Sequence, residues 1–381
     1  MKHLLRSPVL FAALMAVMAA PRVSGAEEVV VGVILPLSGT QAALGHMQKN
    51  SMSLAVEGVN RRGGIDGQDL KLDIRDSGGR VSDIRAIIDH FVNDKAYPLV
   101  LGGGSSKVID AMAERCQYRN LPLVSITGSN DGITRKGYSY LFRVAPPRSE
   151  YPAAALEYAA AVIDPKKVAL WHEPSDFGSS MADAVRESVR EKGWELVWEG
   201  SFEPGTMNLE ESFKALETLK PDAVFLCAFP PDDTRIVTGL TGRLKSKHGP
   251  FNLVPASSLG GSLAACGEGC AGVLAPSLWL SSSGPASQRY NNDYVDRFGT
   301  LPDYHGAQAY AAVLVAVQAL RHGGGLETEA LKETLGAMGI STPYGYVTFP
   351  DRGGHTNQNN PPNYLVRWNG EGFEKVWPKG Q

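Results

Sequence analysis

The sequence predicts an α/β protein built as two doubly wound parallel-sheet lobes, joined by a hinge that the chain crosses three times. Three observations carry that expectation. Short β-branched runs alternate with amphipathic helical stretches along most of the chain, and such alternation builds parallel sheets covered by helices on both faces. The proline pair Pro146 and Pro147 splits the alternation into two series. A chain of 381 residues also exceeds what one core usually holds, so two lobes follow from size alone.

The first series opens with the β-branched run at 29–35. The stretch "AALGHMQKNSMSLAVEGVNRRGG" then places Met47, Leu54, Ala55 and Val59 at helical spacing and stops at Gly63. Residues 70–76 read as strand, 82–93 as helix, 99–101 as strand, 107–119 as helix and 122–126 as strand. The second series runs helix 150–162, strand 168–171, helix 179–192, strand 195–200, helix 209–219 and strand 223–227. Long helices follow at 307–321 and 327–338. Hinge crossings are expected near Pro146 and Pro147, near 278–283 and near 343–346. The first lobe then comprises 27–145 plus 284–343, and the second 148–277 plus 347–381.

Lys2, His3 and Arg6 precede an apolar run at 9–20, followed by Ser24, Gly25 and Ala26. That is the three-part plan of a secretory signal peptide, expected over residues 1–25. The run is shorter than the ~20 residues a bilayer span needs, and Pro21 and Arg22 interrupt it. An exported, periplasmic chain is therefore expected. Without Lys2, Arg6 and Arg22 the 37 basic residues become 34 against 40 acidic ones, a formal charge of −6. Such a balance argues against a nucleic-acid partner, which demands a concentrated basic face. Cys266 and Cys270 flank "GEG" and are candidates for a small-loop disulfide in an oxidising compartment. Cys116 and Cys227 sit among apolar neighbours and read as buried thiols. No His or Cys pair stands at zinc-ligand spacing beside Cys266 and Cys270.

In open parallel sheets ligands bind beyond the carboxyl ends of the strands. The loops at those ends are "PLSGTQAALG", "GGGSSK", "SITGSND", "HEPSDFGSS" and "AFPPDD". The loop "GGGSSK" opens a helix, whose first N–H groups and positive dipole end attract an anion. Lys107 follows Ser106 and precedes Val108, so the phosphate-binding Walker pattern fails, and the dinucleotide fingerprint lacks its last glycine. No cofactor is expected. A carboxylate remains as the anion, against the alternative of a tight turn that holds nothing.

The segments "VGVILPLSGTQAALG", "VNRRGGIDGQDLKLDIRDSGG", "PLVLGGGSSKV", "GYSYLFRVAPP" and "DFGSSMADAVRESVREKGWELV" resemble, in order, those of the periplasmic solute-binding proteins of branched-chain and hydrophobic amino-acid transporters. The resemblance covers nearly all of the chain beyond the leader. It implies the leucine-binding-protein-like, type I periplasmic binding protein fold, and a monomeric receptor that closes on its solute and delivers it to a membrane permease driven by a separate ATPase. Carried over, Ser105, Thr127 and Ser129 hold the solute carboxylate, with Gly104, Ser106 and Gly128 in the same loops. Leu44, Phe177 and Phe229 supply apolar walls.

The chain departs from the family where an amino acid's ammonium would bind. Phe177 stands at a family tyrosine, Phe229 is followed by Pro230, and "LVPASSLGG" offers Ala256, Ser257 and Ser258 where the family has an acid. A buried ammonium without a partner is costly. Either Glu173, Asp176, Asp232 or Asp233 substitutes, or the solute has no amine. The expected solute is a branched-chain or other hydrophobic amino acid with Asp232 as substitute. The alternative is an amine-free aromatic or aliphatic acid. Trp171 and Trp279 are further candidates for the apolar wall or the core, and Lys107 either faces solvent or adds charge beside the carboxylate.

Catalysis finds no support. Neither Ser105 nor Ser262 has both glycines of a nucleophile elbow, and His172 and His305 define no triad by spacing. No catalytic or metal-binding residue is assigned. A ligand sensor feeding a signalling partner would need the same closing cleft, and it stands beside transport as a reading of the same fold.

Overall fold

A computed structural model describes residues 28–244 and 249–379. The leader expected at 1–25 lies outside the described residues.

The first sheet has five parallel strands in the order β2-β1-β3-β4-β5. They are β1 (Val29–Leu35), β2 (Leu70–Asp76), β3 (Val100–Gly102), β4 (Leu123–Ser125) and β5 (Leu141–Arg143). Six of the seven β1 residues are buried, because helices cover both faces and leave no polar side to alternate. The ring of Phe91, from the helix Val81–Asn93, lies 2.8 Å from where a Cβ on Gly32 would stand. A side chain at Gly32 would displace that helix. On the opposite face, the helix Ala42–Arg61 packs along the apolar helix Tyr304–His322.

The second sheet runs β14-β13-β10-β9-β8-β6-β7. Its strands are β6 (Lys167–His172), β7 (Glu195–Ser201), β8 (Ala223–Cys227), β9 (Phe251–Asn252), β10 (Leu274–Ser277), β13 (Tyr364–Trp368) and β14 (Phe373–Trp377). A separate hairpin pairs β11 (Gly339–Thr342) with β12 (Gly345–Thr348). The pairs from β7 through β10 are parallel, whereas β13 and β14 join antiparallel. The second sheet is therefore mixed rather than wholly parallel: the C-terminal hairpin needs no crossover helix to reach its edge.

The third crossing lies further along the chain than 343–346. Backbone bonds join Arg143 N to Asn357 O and Asn359 N to Arg143 O, each 3.1 Å, so the segment 355–359 lies against the edge of the first sheet. The assignment of 347–381 to the second lobe is corrected for this stretch. Its cause is the buried Arg143 guanidinium, which burial pulls down to about 10 and which stays protonated at neutral pH. It donates to Gln358 Oε1 (2.6 Å), Gly128 O and Asn130 O (2.7 Å each) and Thr134 Oγ1 (2.8 Å). A buried cation must find acceptors, and Gln358 brings the third segment to it.

Cys266 and Cys270 are joined by a disulfide. Cys116 and Cys227 are buried and free, and burial pushes both thiols far above their ordinary range.

Candidate functional site

The carboxyl ends of both sheets face a cavity of about 200 Å³. Nine expected positions line it: Leu44, Gly104, Ser105, Ser106, Thr127, Gly128, Ser129, Phe177 and Phe229. A larger groove of about 700 Å³ lies on the outside of the first lobe among Arg61, Arg62, Arg289 and Tyr310, and none of the strand-end loops reaches it.

Five helices present their first turns to the cavity. Leu44 belongs to Ala42–Arg61, Ser106 to Ser106–Arg119, Phe177 to Asp176–Lys192, Ser258 to Ala256–Cys266, and Tyr304 with His305 to Tyr304–His322. Each first turn carries N–H groups without intrahelical acceptors and the positive pole of its helix. Together they favour an anion at the centre.

The serine loops are shaped to donate. Ser105 caps the helix Ser106–Arg119, accepting from Val108 N at 3.4 Å, and Ser106 Oγ accepts from Asn130 N at 3.2 Å. Both hydroxyls act as acceptors toward the backbone, which leaves their protons for a ligand. Thr127 has a different role from the one expected. Its Oγ1 accepts from Gly104 N and donates to Gly104 O, both at 2.8 Å, so its proton is already committed. Thr127 is thus a brace that holds Gly104 at φ +129, a backbone setting that side chains rarely adopt. Gly128 (φ +89) is constrained likewise, with Ile109 2.8 Å from its missing Cβ.

The Thr127→Val variant should lose about 1–3 kcal/mol of stability by stranding the Gly104 amide and carbonyl. Its solute affinity should fall with it, while Thr127→Ser should restore both. Denaturant melts and titrations on the three proteins check this. Equal stability of wild type and T127V would remove the brace.

Sequence reasoning missed Tyr151, Tyr304, His305 and Gln308, which also line the cavity. The Tyr151 phenol is hydrogen-bonded to Ser129 and to Tyr304, and burial pushes both phenols upward, so they stay neutral donors. His305 Nδ1 lies 3.1 Å from the Asp303 carboxylate. Burial raises the Asp303 carboxyl, but its bonds from the His305 ring and from backbone N–H groups outweigh burial and hold it below the ordinary range. Asp303 caps the helix through His305 N at 2.8 Å. The available signal was Asp303 preceding an apolar helix, a start signature.

Two expected positions lie elsewhere. The Asp232 carboxylate is paired with Arg235 and accepts from Gly205 N at 2.9 Å, and Ser257 does not line the cavity, which Ser258, exposed like Ser257, lines instead. The reason is helical geometry: one residue turns the side chain by about 100°. Asp233 accepts from Ser262 at 2.5 Å and burial pushes its carboxyl up. Glu173 accepts from Ser175. Asp176 and Lys107 are exposed. Trp171 is fully buried core, and Trp279 donates to Pro343 O at 2.8 Å.

Residues 28–373 match the family model described as periplasmic binding protein. The chain is 29% identical over 273 residues to an amino acid binding protein of Pseudomonas aeruginosa, a match spanning 68% of this chain and 71% of that one. An ABC transporter substrate-binding protein from Sphaerobacter thermophilus shares the fold at TM-score 0.78 and 22% identity, over 92% of this chain and 96% of its own. The branched-chain amino acid transporter substrate binding protein of Streptococcus pneumoniae, solved with isoleucine, does so at 0.73 and 20%, over 92% and 100%. A solute binding protein of an ABC transporter from R. palustris, solved with benzoate, does so at 0.70 and 17%, over 92% and 96%.

Proposed function

Because the chain belongs to the periplasmic binding protein family, we propose that it captures a small apolar carboxylate without an amine and hands it to the permease and ATPase of an ABC importer. One observation carries the choice of solute. Among the described residues that line the cavity there is no Asp or Glu, while five helix starts and the Ser105 and Ser106 hydroxyls offer themselves to an anion. A carboxylate gains charge-assisted hydrogen bonds there. An ammonium would lose its water and gain no counter-charge.

Isoleucine in the S. pneumoniae protein and benzoate in the R. palustris protein mark both kinds of solute on this fold. For this chain the lining favours the second kind, with Phe177, Phe229 and Leu44 against the apolar body. Membership of the family supports release of the solute to a permease, and the leader pattern at 1–25 supports export.

The test pairs each amino acid with its amine-free counterpart: leucine with 4-methylpentanoate, and phenylalanine with 3-phenylpropanoate, beside benzoate. A solute at a hundred times its Kd stabilises by about 2.7 kcal/mol, which a thermal melt resolves. The amine-free acids should raise Tm and the amino acids should not. A larger shift with leucine than with 4-methylpentanoate would overturn the reading.

A further inference from the structure

Arg148 follows the first hinge crossing. Its backbone N donates to Ser129 O at 2.7 Å, which fixes it beside one wall of the cavity, and its guanidinium lies 5.4 Å from the ring centroid of Phe177 on the other wall. The side chain is 9% exposed, and Nε is buried with no hydrogen-bond partner. Among the described residues no carboxylate lies within 4 Å of it. Glu150, two residues on, is paired with Arg352 at 3.0 Å, and Glu173, the other buried charge near Cys227, is bonded to Ser175.

A buried cation without a carboxylate is costly, and buried charges are normally paired. Here the unpaired one stands one residue back from the lining, against Phe177 and Ser129, of a cavity that holds hydroxyls, helix starts and no acid. We infer that Arg148 is the fixed counter-charge for the solute's carboxylate, acting from behind Phe177 to select anions over neutral molecules of the same shape. This rests on the reading of the site as a carboxylate receptor. Because Arg148 sits at the crossing and touches a ring of the second lobe, closure of the cleft carries Phe177, and whatever lies against it, onto the charge. Coulomb attraction is strong in such a dry setting, and salt screens it little.

The test measures Kd for benzoate and for benzamide, its uncharged isostere, with wild type, Arg148→Gln and Arg148→Lys. The expected result is a wild-type preference for benzoate that falls about 10- to 100-fold in R148Q. R148K should keep most of the preference, and benzamide binding should barely change across the three. Thermal melts of the free proteins identify any loss that comes from folding, and R148K keeps the comparison valid should R148Q unfold. A wild type that prefers benzoate, with R148Q equally selective, would overturn this role for Arg148 alone. A wild type that binds benzamide as tightly as benzoate overturns the carboxylate reading and the role with it.

Discussion

The Arg143→Met variant should lose about 3–5 kcal/mol of stability and all measurable solute binding. The guanidinium serves acceptors on three segments: the carbonyls of Gly128 and Asn130, the Thr134 hydroxyl and the Gln358 amide. Methionine fills the volume, strands the Gly128 carbonyl, and leaves Asn130 O and Gln358 Oε1 only their long bonds from Ile133 N (3.3 Å) and the Thr134 hydroxyl (3.4 Å). The loop carrying Ser129 lies between the two carbonyls, so it loses its anchor at both ends. The segment around Gln358, held to β5 by the Arg143 backbone as well, would be the next to loosen. Lysine offers a single head in place of a planar fork and should recover little. Urea melts of wild type, R143M and R143K check the energy, and hydrogen exchange of residues 128–130 checks the location. An unchanged urea midpoint in R143M would refute the account.

A second large effect is expected from Ser258→Asp. Ser258 reaches the cavity from the first turn of its helix, a position where an acid suits the helix pole. The new carboxylate faces the solute and repels its charge. Benzoate affinity should drop about tenfold, since Ser258 is exposed and like charges some 5 Å apart cost about 1 kcal/mol in water. Leucine, now offered a partner for its ammonium, should gain at least about tenfold. Calorimetric titration of both solutes into wild type and S258D reads the exchange. If S258D binds benzoate as wild type does, the cavity is not the solute site.

The fold was legible because its strands are short apolar runs between amphipathic helices. The runs at 29–35, 70–76 and 223–227 begin and end where the sequence puts them. That the loops "GGGSSK" and "SITGSND" line one cavity was legible for a related reason: they follow strands at the carboxyl end of a parallel sheet. What the sequence hid depends on pairing at a distance. Nothing in "GGHTNQNNPPN" says that Gln358 goes to Arg143, because an Asn/Gln-rich stretch reads as a solvated loop until its acceptors meet a buried guanidinium. Thr127 reads as a ligand group, yet its proton is spent on Gly104. Asp232 follows a strand end as a site acid would, but Arg235, three residues on along the same helix, claims it.

The five helix starts around the cavity have a mechanical consequence as well as a chemical one. Three belong to the first lobe and two to the second, so an empty cleft sets poles of the same sign face to face. Like poles resist being pushed together, so closure of an empty cleft is opposed. A solute carboxylate is the opposite pole that both halves attract. On the proposed reading it acts as the fastener between them, whereas a neutral molecule of equal size would fill the gap without drawing it shut. If the chain serves a permease as proposed, shape alone would then report whether it is loaded, because the closed outline would be held only around cargo of the right charge.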